Sequence, residues 1–507
     1  MTHVLASERP ARFRSFLVVL LIELWERFGY YGMQAVLLLY MVQRLGFPDS
    51  RSSLLWGAFA ALTYASPAIG GWVGDQILGS RRTMLAGAAT LMVGYALLAA
   101  PQSGTGQLYA AMAVIAVGNG LFKSNASNLV RRIYADDDAQ LDAAFTLYYM
   151  AVNVGSTVSI LLCPWLKDAF GWPAAFGVCA LGLALGLLNY GLMHRRLAHI
   201  GSEPDARPLS VRHVGLVALG ALAAMVAVAF VLQHPAVARA CVYLAGLVVV
   251  AIWAIFFRRA APRERAGLAV LYILTFETML YFIFYQQQAT SLTLFALRNV
   301  SGDFTLFGTT LWHFSAGQFQ ALNPIWIMLA SPPLAWTYTR LARGGHTVTL
   351  ATKFAIGMAL VTCGFLIWWL SCLWSRTPLV SPWVMVAGYG AISVGELMVS
   401  GLGLAAAARY APARVSAFMM GAYFTAVGIS MYLGSWVATL ASVPQTDVPD
   451  PAATLPIYGA LFEHLFWFGV VCTAICIVLL PLTRVLDRRF LIRPEADFAP
   501  APLPDAA

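Results

Sequence analysis

The sequence predicts an all-helical polytopic membrane protein of two six-helix bundles joined through an inserted two-helix hairpin, fourteen membrane helices in all. Three observations carry that expectation. Of the 507 residues 60% are apolar and only 11% charged, and the mean hydropathy is +0.72, far from the balance of soluble domains. A span needs about 20 mostly apolar residues, and fourteen such runs can be laid along the chain. Polar interruptions then divide the runs six, two and six.

Taken in order, the first six runs lie near 15–43, 53–74, 82–101, 107–125, 141–163 and 172–193. They are set off by HRRLAHIGSEPDARPLS at 194–210, the longest clearly polar interruption before the tail. Runs at 211–232 and 237–257 contain no acidic residue, which suits a scaffold hairpin packed on the lipid side. The basic segment FRRAAPRER at 257–265 then precedes the last six runs, near 267–295, 314–341, 347–371, 382–408, 413–441 and 459–483. The domains expected are an N-terminal segment 1–14, a first bundle 15–193, a linker and hairpin 194–265, a second bundle 266–484 and a Pro- and Ala-rich tail 485–507.

The net charge of +9 does not point to nucleic acid, because the basic residues fall in short loops and form no patch or aromatic-interleaved stripe. With the N-terminus inside, 23 Lys or Arg fall in cytoplasmic segments and six outside (Arg44, Arg51, Lys167, Arg239, Arg298 and Arg376). That positive-inside bias predicts a multi-pass inner-membrane protein with both termini cytoplasmic. Glu23, Glu26 and Arg27 interrupt the first apolar run, which therefore does not read as a signal peptide. Seven scattered cysteines read as packing residues.

Two six-span halves are how the major facilitator architecture is built, with cargo held between them near the bilayer midplane. The loop GGWVGDQILGSRRT resembles the signature loop of that superfamily, with Asp75, Arg81 and Arg82 expected in a charge network joining helices. Its counterpart TRLARGGHT in the second half is degenerate.

Charges at membrane depth cost on the order of 2.5–3.5 kcal/mol each, so they face a cavity and a partner. Those in this chain are Glu23, Glu26, Arg27, Lys123, Glu277, Lys353 and Glu396. Spacing of i, i+3, i+4 places Glu23, Glu26 and Arg27 on one helix face, with Tyr30 continuing the stripe and Tyr31 and Gln34 beside it. Two acids with one base leave one carboxylate for a further cation or a proton, and Lys123 is the natural candidate cation. A structural role is the bland alternative for this set; an intramembrane carboxylate that alternates between lysine and proton would be a coupling device.

These residues carry a resemblance. ELWERFGYYG at 23–32 resembles the ExxERFxYYG signature of the proton-dependent oligopeptide transporters, the peptide branch of the major facilitators. GNGLFKSN, FTLYYMAVNVGS, FQALNPIWIMLASP and GELMVSGLGLAAAARYAP resemble that family's fourth-, fifth-, eighth- and tenth-helix motifs, in the family's order from about residue 15 to 440. The resemblance implies a proton-coupled importer of di- and tripeptides or peptide-like compounds, with H+ as the coupling ion and no cofactor. It implies that Arg27 and Lys123 lie near the peptide carboxylate and that Glu23 and Glu26 handle the proton. Glu396 would meet the peptide ammonium with help from Asn153 and Asn323, and Tyr30, Tyr31 and Tyr64 fall at pocket tyrosine positions. The partners implied are a small-molecule peptide, the proton and the lipid bilayer, with no nucleic acid, and a monomeric transport unit.

The chain departs from the family pattern in two places. Gln34 stands where many members carry an arginine that pairs with a seventh-helix acid as an outer gate, and FIFYQQQATSL supplies Tyr285, Gln286, Gln287 and Gln288 where the acid would be sought. The expected substitute is an amide and tyrosine contact, with Gln287 in the pocket. Tyr423 stands where relatives commonly carry tryptophan and is expected in the pocket as well. Glu277 is expected to partner a basic loop, and Lys353 to snorkel to the interface. These departures keep open an importer of another small anionic or modified metabolite. A polytopic membrane enzyme is disfavoured, since no metal-type cluster or serine nucleophile with its base is evident among the eight histidines and their neighbours.

Overall fold

The structure is a computed structural model that describes residues 2–101, 104–135, 137–345, 348–412, 416–443 and 450–491. Apolar runs too long for a soluble core form helices because a backbone in hydrocarbon must satisfy its own N–H and C=O groups. The first half comprises α1 (Thr2–Leu39), α2 (Asp49–Ala65), α3 (Pro67–Gln76), α4 (Ser80–Ala99), α5 (Thr105–Ile133), α6 (Asp138–Phe170) and α7 (Trp172–Met193). The hairpin is α8 (Val211–Gln233) and α9 (Pro235–Arg259). The second half comprises α10 (Pro262–Tyr285), α11 (Ser291–Asn299), α12 (Leu322–Arg343), α13 (Leu350–Trp374), α14 (Pro382–Tyr410), α15 (Ser416–Ala438) and α16 (Pro451–Leu491).

Among the described residues, α2 with α3 and α10 with α11 each make one interrupted span, so the sixteen helices form fourteen spans, matching the fourteen apolar runs. Pro67, at the first turn of α3, breaks the second span after α2, and the 3-10 turn Gln286–Ala289 breaks the ninth. Among the described residues, eleven helices are long and apolar enough to cross a membrane on composition alone. The first span misses that standard because of its charged stripe, the second because it is broken, and α12 because Asn323 and its prolines lower its hydropathy.

In the first half α1 packs on α6 and α7, and α4 on α5; in the second, α13 packs on α14 and α16, and α10 on α15 and α16. The halves meet where α2 lies against α15 and α6 against α12. Close crossings rest on small residues. A Cβ on Gly70 would lie 1.9 Å from the Gly120 carbonyl oxygen, so the α3–α5 approach requires glycine there. The hairpin is exposed along nearly all its length and touches both halves, α8 on α5 and α9 on α15. A two-stranded antiparallel sheet, β1 (Asp303–Leu306) and β2 (Thr309–His313), caps the face opposite the linker.

Two expected domain edges have no break in the chain. Helix α1 runs continuously through residues 14 and 15, and α16 continues past residue 484 to Leu491. The tail beyond 491 lies outside the described residues, as do His346 and Thr347 of the degenerate loop.

The signature loop is organised by the linker. Asp205 caps the start of α4: its carboxylate accepts from the backbone N–H of Arg81 (3.1 Å), Arg82 (3.4 Å) and Ser202 (3.0 Å). Arg81 and Arg82 donate to linker carbonyls of Leu197, Ala198, Pro204 and Arg207, while Asp75 accepts from Asn128 and Arg132 of α5. The expected helix-to-helix network is thus realised by Asp75 and α5, and the two arginines instead fasten the linker to the first half.

Candidate functional site

The lone basic group of the first span is held by both acids beside it. Arg27 Nε lies 3.1 Å from Glu23 Oε1 and 2.5 Å from Glu26 Oε2, all three side chains being buried. Asn119, one turn before Lys123 on α5, donates to Glu26 Oε1 at 3.3 Å. Lys123 makes no ion pair among the described residues; its ammonium stands 4.9 Å from the Tyr64 ring centre. Two carboxylates, one guanidinium and one ammonium therefore balance within one buried cluster, with the lysine the member not directly paired.

A cavity of about 160 Å³ opens between the halves. The first half contributes Arg27, Tyr30, Tyr31, Gln34, Tyr64, Lys123 and Asn153, and the second contributes Asn323 and Glu396. Glu23 and Glu26 lie behind Arg27 and do not line it. Tyr30 and Tyr31 meet edge to face at 5.6 Å, and Arg27 lies 5.7 Å from the Tyr30 ring centre. Across the cavity, Glu396 is 8% exposed and accepts from Asn323 Nδ2 at 2.7 Å. No Lys, Arg or His pairs with it among the described residues. Asn153 spends its amide N–H on Tyr149 O of its own helix at 2.8 Å. A basic wall and an acidic wall thus face one small cavity from opposite halves. The volume is below the roughly 300 Å³ of ordinary ligand pockets, so a larger cargo requires the halves to part.

Several expectations are corrected here. Gln287 does not line the cavity: its amide nitrogen donates to Ile283 O (2.9 Å) and Gly434 O (2.8 Å) and its oxygen accepts from Ser291 (2.7 Å). Gln286 and Gln288 line it instead, because the 3-10 turn advances side chains by about 120° per residue and turns the middle glutamine away. Tyr423 is likewise outside the lining and packs behind α14, where a Cβ on Gly403 would lie 2.4 Å from its hydroxyl. Among the described residues Glu277 partners no basic loop; it is buried beside Cys476 of α16, with one carboxylate oxygen that none of them bonds. Lys353, by contrast, is partly exposed and lies against the Tyr338 ring, 4.2 Å from its centre, which does not conflict with the snorkelling expected of it.

Gln34 does make a neutral contact across the halves, but with Gln320, whose oxygen accepts from it at 3.3 Å. The charged link between halves is elsewhere. Asp49, at the start of α2, accepts from Arg298 of α11 through both oxygens (2.5 and 2.8 Å) and from the backbone N–H of Val443 (3.1 Å). Arg298 also donates to Tyr458 of α16 at 2.8 Å. The neutral contact expected at Gln34 is thus present, and an ion pair at a different place joins the halves as well. Both residues sit at the ends of apolar runs, where a sequence shows only loop charges.

Reasoning from motifs also missed Asn119, Tyr149 and Gln320, all of which line the cavity. Asn119 and Tyr149 lie one helical turn from Lys123 and Asn153, which is the signal that would have found them.

Residues 81–457 match the sequence model of the POT family. The chain belongs to the POT family. Among curated POT relatives it is 40% identical over 479 residues to dipeptide and tripeptide permease A of Salmonella typhimurium, covering 94% of this chain and 93% of the relative. Permease A of Escherichia coli K12 is 40% identical over 490 residues, covering 96% and 95%. The crystal structure of tetrameric PepTSo2 matches with a TM-score of 0.86 at 53% identity, over 94% of this chain and 99% of that one. A bacterial homologue of the human drug peptide transporters PepT1 and PepT2 matches with a TM-score of 0.85 at 54% identity over the same shares. The POT chain thus has the major facilitator fold, with its inserted hairpin, and is a transporter and not an enzyme.

Proposed function

We propose that this POT-family chain imports di- and tripeptides or peptide-like compounds together with protons, by alternating access. The observation that carries the reading is the division of charge across the cavity, with Arg27 and Lys123 on one half and an unpaired, buried Glu396 on the other. A zwitterionic peptide presents an anion and a cation a few ångströms apart. Both charges are satisfied only when both halves close on it, so binding energy is tied to rocking of the halves. The names of the relatives, dipeptide and tripeptide permeases, support the same cargo.

Proton coupling rests on the cluster behind Arg27. Glu23 and Glu26 share one guanidinium, and Lys123 lies near enough for its charge to act on Glu26. Protonation of one acid frees Arg27 or Lys123 to take the peptide carboxylate; loss of the proton returns it. Tyr30, Tyr31, Tyr64, Asn153 and Asn323 complete the peptide site. The coupling ion is H+ and no cofactor takes part. The transport unit is a single chain, because both walls of the cavity come from one chain. The membrane is the bacterial inner membrane with both termini cytoplasmic, a reading supported by the 23-to-six distribution of basic residues.

The test is uptake of labelled dialanine into proteoliposomes under an imposed inward proton gradient. Accumulation of intact dialanine above equilibrium is expected, collapsing with a protonophore. Gradient-independent equilibration would remove the symport; no uptake of any di- or tripeptide would remove the cargo and favour a different small anionic metabolite.

A further inference from the structure

Three glutamines follow one another at 286–288, in the turn between α10 and α11, and the structure gives them different tasks. Gln286 Nε2 donates to Ser435 Oγ at 2.9 Å, and Gln287 is bonded at both ends of its amide. These two fasten the turn to α15 and its own helix. Gln288 lines the cavity, is 6% exposed, and its amide nitrogen has no partner among the described residues. Buried amide donors without a partner are rare in folded proteins, and one at a cargo cavity is a donor kept for cargo.

The surroundings define what that donor takes. Gln34 and Gln320 line the same cavity and bond to each other, and Gln320 Nε2 donates on to Thr293 Oγ1 at 2.9 Å. Thr63 also lines the cavity with a buried hydroxyl that has no partner among the described residues. All of these side chains are neutral. A carboxylate or ammonium placed among them would be desolvated without a countercharge, and both charged ends of a peptide already have Arg27, Lys123 and Glu396. A neutral carbonyl oxygen is the acceptor to which an unused amide N–H can donate at little desolvation cost.

We infer that Gln288, with the Gln34–Gln320 pair and Thr63, forms a subsite for a neutral amide carbonyl of the cargo, beyond the groups that read its two charged ends. This rests on the peptide-import reading and deepens it. The carbonyl has two sources: the second peptide bond of a tripeptide, or the side-chain carboxamide of a dipeptide.

Competition against labelled dialanine uptake in proteoliposomes separates these. For the first source, trialanine is compared with an analogue whose second peptide bond is an (E)-alkene of the same shape. For the second, Ala-Gln is compared with Ala-Met, which has similar length and no carbonyl. In the wild type at least one carbonyl-bearing compound competes about tenfold better than its partner, one neutral hydrogen bond's worth, and the pair that shows it identifies the source. In Gln288→Met, and in Gln288→Ala should the first variant not fold, that ratio falls to within about twofold. Wild-type ratios near one for both pairs overturn the inference without needing any variant, and so does a ratio that survives both substitutions. Dialanine uptake with flat ratios sinks this subsite alone, whereas no dialanine uptake by the wild type sinks the parent reading and this one with it.

Discussion

The ion pair between Asp49 and Arg298 makes a quantitative prediction about which conformation the protein prefers. One carboxylate of the first half accepts three N–H groups of the second, two from Arg298 and one from Val443, and the paired side chains are 4% and 8% exposed. Asp49→Asn keeps the shape and one acceptor oxygen but removes the negative charge that Arg298 pairs with, leaving the buried guanidinium without a countercharge among the described residues. Removing one partner of a buried pair costs about 3–5 kcal/mol. The cost falls on the conformation in which the β-hairpin face is closed, because parting the halves separates the pair and returns both groups to water. At 1.4 kcal/mol per tenfold, the closed-to-open ratio should drop by about 10² to 10³·⁵. The assay is a distance distribution between spin labels placed on the two halves at the β-hairpin face. Wild type should show mainly the short distance and Asp49→Asn mainly the long one, and Asp49→Arg with Arg298→Asp should recover part of the short population. An unchanged distribution in Asp49→Asn, or a swap no better than either single change, would refute the reasoning.

Other expectations follow from the same coordinates. Glu26→Gln and Lys123→Ala should abolish gradient-driven accumulation while retaining counterflow exchange of dialanine, and full accumulation by either would contradict the coupling roles. Glu396→Gln should weaken peptides with a free amino terminus more than N-blocked ones, read as inhibition constants against dialanine uptake; equal loss for both would take Glu396 out of ammonium binding. Asp205→Ala leaves three N–H groups around the start of α4 without their acceptor. It should lower the apparent melting temperature in detergent, a cap of this kind being worth about 1–2 kcal/mol, and an unchanged melting point would show that the linker does not hold α4.

The spans and the ExxER stripe were legible because the bilayer imposes a length on helices and makes each buried charge conspicuous. Helical spacing then places Glu23, Glu26 and Arg27 together, as the structure finds them. The same reasoning failed at Gln287, where the chain leaves the 3.6-residue period for a 3-10 turn and side-chain directions no longer follow from spacing. It failed at Tyr423 as well, since helix periodicity says which residues share a face but not which neighbour that face meets. Glu277 looked available to a loop and is instead packed against Cys476.

What the order of residues settles for this protein is local and one-dimensional: how many times the chain crosses, which charges lie at membrane depth, and which of them share a turn. Pairing across long separations is a matter of tertiary packing. Asp49 and Arg298 are 249 residues apart, Asn323 and Glu396 73, and Arg81 and Asp205 124. Each such contact forms only because two helices, or a helix and the linker, are already held side by side by apolar and small-residue contacts that carry no polar signature of their own. The facing of Arg27 and Lys123 toward Glu396 across one cavity belongs to this second kind, because the two walls are brought together by the meeting of two halves that each fold on local instructions.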